Sequence, residues 1–182
     1  MTYLKHVWYC AALSSELTST PIARTICDTA MVLFRTEAGN TVALEDRCCH
    51  RQAPLSMGRV FGETIECGYH GFTFDAIGTC VHIPHQDRIP AAACIRHFPT
   101  AERNGLVWLW IGDPAAPDHG KIPTLPGVGE EGHRTVYMSF YANANFQLMA
   151  DNLMDNSLTD FLHRDSIGSH TGRRGQENMP RI

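Results

Sequence analysis

Apolar residues in the first two thirds of the chain come in short runs broken by turn residues. Val7 to Leu13, Pro21 to Ile26, Met31 to Phe34 and Thr41 to Leu44 are the first four runs. Each has strand length and holds the β-branched and aromatic types that fit a pleated, half-buried surface. Glu37-Ala38-Gly39-Asn40 lies between the third and fourth runs and predicts a hairpin turn. Ser14 or Ser15 is placed to cap a short helical turn with Glu16 in its first turn. Further on, Thr64-Ile65 predicts a strand, and Phe72 to Phe74 with Thr79 to Ile83 predict a second hairpin about Asp75-Ala76-Ile77-Gly78. Pro84, Pro90 and Pro99 break the next stretch. Leu106 to Ile111 reads as a buried strand ended by Gly112-Asp113-Pro114, with Trp108 and Trp110 expected on opposite faces. Residues 1–112 therefore predict a small antiparallel β domain, and the chain as a whole is expected to be mainly β.

The pattern then changes. Residues 113–135 are rich in Pro and Gly and predict a linker, and Val136 to Tyr141 predicts one more strand. Phe146, Met149, Ala150, Leu153, Met154, Leu158, Phe161 and Leu162 recur at three- and four-residue steps. That period predicts an amphipathic helix from about 145 to 163. Residues 164–182 are polar and without period, an irregular tail.

Composition narrows the function classes. Of 182 residues, 43% are hydrophobic and 19% charged, as in an ordinary globular protein, and a net charge of −4 gives no basic footprint for nucleic acid. No run approaches the ~18 apolar residues that span a bilayer. The N-terminus lacks a signal-peptide layout, so the cytoplasm is the expected compartment. There, seven cysteines read as thiols and ligands rather than disulfides. Cys10, Cys27, Cys80 and Cys94 stand in apolar segments and are expected to be small core residues.

The remaining cysteines carry the chemistry. Cys48 and His50 form C-x-H, Cys67 and His70 form C-x-x-H, and sixteen residues, Arg51 to Glu66, separate the pairs. Two thiolates and two imidazoles suit either a structural Cys₂His₂ zinc site or a two-iron cluster with Cys on one iron and His on the other. A zinc finger usually pairs Cys with Cys and His with His. Here each loop supplies one of each, as a site reached by both loops onto both irons needs. Spacing favours the cluster, and Cys49 is read as a spare thiol.

These residues, with Arg51, Ala53-Pro54-Leu55-Ser56, Gly58 and Tyr69-His70-Gly71-Phe72, resemble the Rieske-type non-haem iron aromatic oxygenases. Trp8-Tyr9, Cys94 to Pro99, Glu102-Arg103 and Leu106 to Pro114 extend the resemblance toward the toluenesulfonate, vanillate and dicamba branch, over about residues 1–163. The resemblance implies a Rieske [2Fe–2S] domain over 1–112, its ligands Cys48, His50, Cys67 and His70. It implies a linker and the start of a truncated catalytic domain over 113–163, then the tail. It also implies electrons from an NADH-dependent flavin and iron–sulfur reductase, an aromatic acid substrate monooxygenated at a methyl or methoxy group, and a homotrimer. In the family a helix carries two His that bind a mononuclear iron, with a preceding Asp as the electron bridge between subunits. Asp155 and His163 match that bridge and one ligand, while position 158 is Leu where the family has the other His. The mononuclear Fe(II) of the family is thus left one of three ligands, and impaired catalysis is expected. A stand-alone Rieske electron carrier and a zinc-stabilised binding module are the other readings.

Overall fold

The structure, a computed structural model, describes residues 3–155, 157 and 161–163. It divides into two units, Met1–Tyr137 and Met138–Ile182.

Eleven strands build the first unit. Strands β1 (Val7–Leu13), β11 (Leu106–Ile111) and β10 (Thr100–Arg103) form one antiparallel sheet in the order β1-β11-β10. The second sheet runs β2 (Ile22–Ile26), β3 (Thr29–Arg35), β4 (Thr41–Glu45), β9 (His97–Phe98). The third runs β5 (Arg59–Phe61), β6 (Thr64–Glu66), β7 (Thr73–Phe74), β8 (Cys80–His82).

The apolar run Met31 to Phe34 explains the layering. A strand with one wet face alternates, whereas an unbroken apolar run marks burial on both faces. Val32 and Phe34, with Val42 and Leu44 of β4, face a core shared with Ile65, Phe74 and Cys80 of the third sheet. Met31, Leu33 and Ala43 face the opposite way, into a core shared with Val107, Leu109 and Ile111 of β11. All four residues 31–34 are fully buried. The middle sheet is therefore a wall between two cores, and each large side chain on it contributes about 1.5–3 kcal/mol by leaving water.

Trp108 and Trp110 share a face, contrary to expectation. Residues i and i+2 of a strand point the same way. Both join Trp8 and Ile122 in a third cluster on the outer side of the β1-β11-β10 sheet. That cluster draws in the Pro- and Gly-rich stretch after β11. Ile122 is buried there, and Trp8 Nε1 donates to the Asp118 carbonyl at 2.7 Å. Residues 113–137 belong to the first compact unit.

Other local expectations need correction. The helical turn Ser14–Glu16 forms, but no serine caps it: the Glu16 carboxylate accepts the Leu13 N–H at 2.7 Å. Val136 to Tyr141 is not a strand: no ladder pairs with it among the described residues, and Val136, Met138, Phe140 and Tyr141 are exposed. Cys80 is a core residue, but Cys10 and Cys94 are exposed and Cys27 is half-buried. Strands β5, β9 and β10 are too short or too polar to show a period.

In the second unit the helix α1 spans Phe146–Met154, with the Asn145 side chain accepting the Gln147 N–H at 2.9 Å as its cap. The helix ends at Met154 with Asp155 as its C-cap, short of the expected end at 163, and residues 161–163 form a turn; positions 156, 158–160 and the tail 164–182 lie outside the described residues. No helix among the described residues is long and apolar enough to cross a membrane.

Candidate metal centre

Two six-residue loops hold the four candidate ligands. The first, 48–53, leaves the middle sheet just after β4; the second, 67–72, joins β6 to β7. Their backbones close alike. Cys48 N–H donates to the Ala53 carbonyl at 2.9 Å and Gln52 N–H to the Cys48 carbonyl at 2.9 Å. In the second loop Cys67 N–H donates to the Phe72 carbonyl at 2.8 Å and Gly71 N–H to the Cys67 carbonyl at 3.0 Å. Closing so tightly forces the fifth residue of each loop into the left-handed region: φ is 59° at Gln52 and 72° at Gly71.

The first residue of each loop points inward. Cys48 and Cys67 are buried among Leu44, Leu55, Ile65 and Phe74. Both thiols belong to the same buried cluster. Burial, reinforced by the Cys67 thiol, pushes the Cys48 thiol up to about 11, and backbone donation near His50 opposes the shift. The imidazoles are on the exposed side of the same loops. The His50 and His70 ring centroids are 4.7 Å apart at 61°, and Phe72 stacks on His50 at 4.7 Å and 11°. Tyr69 lies against His70 at 3.9 Å. The convergence is pairwise, thiol with thiol inside and imidazole with imidazole outside. Among the described residues no three His, Cys, Asp or Glu side chains group around one ion.

This donor set fits a [2Fe–2S] cluster of the Rieske kind. Its two irons take different ligand types, two thiolates on one and two imidazoles on the other. Cys49, beside Cys48, is exposed, whereas Cys48 and Cys67 are buried.

Sequence spacing identifies the four residues but not what supports them. Phe72 under His50, and Asp46 holding Ser56 ahead of the second loop, are contacts across ten or more positions. Gly58 and Gly68 were the readable signals. A Cβ on Gly58 would stand 2.1 Å from the Glu66 carbonyl oxygen, and one on Gly68 would stand 2.8 Å from that of Met57.

Asp155 and His163 lie in the second unit. The Asp155 carboxylate accepts the N–H of Ser157 at 3.1 Å and also its hydroxyl. His163 is half-buried, in a turn with Phe161 and Leu162. Position 158 is outside the described residues and is Leu in the sequence. A leucine has no lone pair to offer a metal, so the residues present do not fit a complete mononuclear iron site.

Comparison with known proteins gives the same class. The profile of the Rieske [2Fe-2S] domain matches residues 7–99, and the chain belongs to that family. Within it, the chain is similar to oxygenase components. It is 43% identical over 165 residues to the oxygenase component of dicamba O-demethylase from Stenotrophomonas maltophilia, covering 90% of this chain and 49% of the relative. It is 38% identical over 168 residues to the toluene-4-sulfonate monooxygenase system iron-sulfur subunit TsaM1 of Comamonas testosteroni, covering 92% and 48%. The crystal structure of dicamba monooxygenase bound to dicamba superimposes with a TM-score of 0.89 at 40% identity, covering 96% of this chain and 52% of that one. The chain spans about half the length of the curated relatives it matches.

Proposed function

We propose that the chain is the electron-receiving part of a Rieske oxygenase component, with Cys48, Cys67, His50 and His70 holding a [2Fe–2S] cluster. The cluster would supply one-electron transfer, at a potential of about −150 to +300 mV against about −400 mV for plant-type clusters. The observation that carries the reading is the matched closure of loops 48–53 and 67–72, with both thiols turned inward and both imidazoles outward.

The residues divide the work. Cys48 and Cys67 must each lose a proton to ligate, so loading the site releases protons. Core side chains around the thiols exclude water from that end. Phe72 fixes the plane of the His50 ring, and the exposed imidazoles leave a short path for electrons to and from partners.

The electron donor would be an NADH-dependent flavin and iron–sulfur reductase. The reaction served is monooxygenation of a methyl or methoxy group on an aromatic acid. We place the protein in the cytoplasm. In a homotrimer, Asp155 would be the bridge between subunits and His163 a ligand of the oxygen-activating iron. Leu158 stands where the family has the other histidine, so oxygen activation at that iron would be impaired.

Anaerobic reconstitution tests the reading. Two irons and two sulfides per chain, with a Rieske-type EPR signal on reduction, are expected. One zinc and no sulfide would establish the structural-module alternative instead. A second reading, a stand-alone electron carrier, is favoured by the unit Met1–Tyr137 containing all four ligands. Reduction by a reductase of this class, followed by transfer to cytochrome c but not to an oxygenase, would select it.

A further inference from the structure

Asp46 and Ser56 lie outside the candidate ligands, Asp46 just before the first ligand loop and Ser56 between the two in the chain. Asp46 follows β4 and precedes Cys48 by two residues. Its own backbone is fixed to the middle sheet: its N–H donates to the Ala30 carbonyl at 2.9 Å, and the preceding Glu45 N–H donates to the Arg96 carbonyl at 2.8 Å. Both oxygens of its carboxylate go to a single residue. Ser56 N–H donates to Oδ1 at 2.7 Å and Ser56 Oγ–H to Oδ2 at 2.6 Å. Hydrogen bonds to an ionised acceptor are shorter and stronger than neutral ones.

Ser56 is the middle residue of the short helical turn Leu55–Met57. One side of this turn is rooted in the core, where Leu55 is fully buried beside Cys48 and Cys67. The other side abuts the second loop. The turn's Met57 carbonyl oxygen lies 2.8 Å from where a Cβ on Gly68 would be, and Gly58 leaves no room for a Cβ against the Glu66 carbonyl. Gly68 follows Cys67 directly. A continuous path of close contacts thus runs from the middle sheet through Asp46, Ser56 and Met57 to the backbone beside Cys67.

We infer that Asp46 and Ser56 are positioning residues that set the second ligand loop, Cys67 to Phe72, against the first. The inference rests on the proposed cluster for its redox consequence, but its structural part concerns the polypeptide alone. The first loop needs no such brace because it continues directly from β4. The second hangs on β6 and β7, strands of three and two residues.

The experiment uses the full chain with Ser56→Ala, Ser56→Thr and Asp46→Asn. In the metal-free protein, amide exchange at Cys67 and Gly71 is expected to quicken about tenfold in Ser56→Ala. Exchange at Cys48 and in the β1–β11 pairing should stay at wild-type rates. In the iron-loaded protein, the reduction equilibrium is expected to move about tenfold toward the oxidised form, ~59 mV for a one-electron couple. Shifted EPR g-values should accompany it, and Ser56→Thr should restore both. If Ser56→Ala does not fold, Asp46→Asn takes its place with the same measurements. Exchange that quickens equally everywhere, or not at all in the second loop, overturns the inference. So do wild-type g-values and potential in a loaded Ser56→Ala protein. A wild-type chain without iron and sulfide would sink the proposed function, while the exchange pattern would still decide whether the brace exists.

Discussion

Loops 48–53 and 67–72 share one backbone design and differ in what surrounds it. Each closes with the first residue bonded to the sixth and the fifth to the first, and each needs a left-handed fifth residue. In the first loop that residue is Gln52, which is exposed and has room for its side chain. In the second it is Gly71, where a Cβ would stand 2.9 Å from Pro84 Cγ. The same conformation is thus a modest backbone strain in one loop and a steric requirement for glycine in the other. The histidine offset differs too, third residue against fourth. The ring supports differ in origin: Phe72, the sixth residue of the second loop, stacks on His50 across the loops, while His70 has Tyr69 of its own loop beside it.

The largest effect is expected at the two buried thiols. Cys67→Ala is expected to reduce bound iron and sulfide to background, with Cys48→Ala equal to it, because each thiol is half of the buried pair. Retention of a normal cluster by either variant, by iron and sulfide analysis, would end the symmetry argued between the loops. Gly71→Ala comes next and should destabilise by about 1–3 kcal/mol, the cost of a strained backbone, before any displacement of Pro84 is added. Denaturant unfolding measures it. A midpoint unchanged from wild type would show that the second loop tolerates a side chain after all.

Acidity gives a third, smaller effect. Burial holds the Cys48 thiol at about 11 against an ordinary value of 9.0, so the folded chain keeps a proton that the unfolded chain releases. In metal-free protein this contribution to stability is complete below about pH 9 and is lost as pH rises through about 11. Unfolding at a series of pH values should show the decline in wild type and a smaller one in Cys48→Ala, where the other raised thiols, Cys10, Cys49 and Cys80, remain. Gln52→Gly is the smallest change and has the opposite sign to Gly71→Ala. Relief of left-handed strain exceeds the added chain entropy, a gain of about 0.5 kcal/mol. A loss of stability there would mean the Gln52 side chain makes contacts that matter.

The four proposed ligands were legible because the requirement is chemical and local: two donors on one tight loop, repeated. The strands from Val7 to Leu44 were legible because apolar runs of strand length leave few alternatives. What supports the site was not. Asp46 and Ser56, or His50 and Phe72, meet only after the chain has returned across a sheet, and no local pattern records that. The apolar residues from Val136 to Tyr141 misled for a related reason. Strand propensity describes a surface to be packed, and a strand also needs a partner. Trp108 and Trp110 were misassigned against the two-residue period itself, and their shared face is what draws Ile122 and Asp118 onto the sheet.

The middle sheet has a consequence for how the first unit comes apart. Met31 and Leu33 on one side and Val32 and Phe34 on the other are links of a single strand, so neither core can loosen while the other stays intact. Heating should therefore dismantle the tryptophan end and the ligand end in one cooperative transition, with fluorescence and amide signals tracing the same curve.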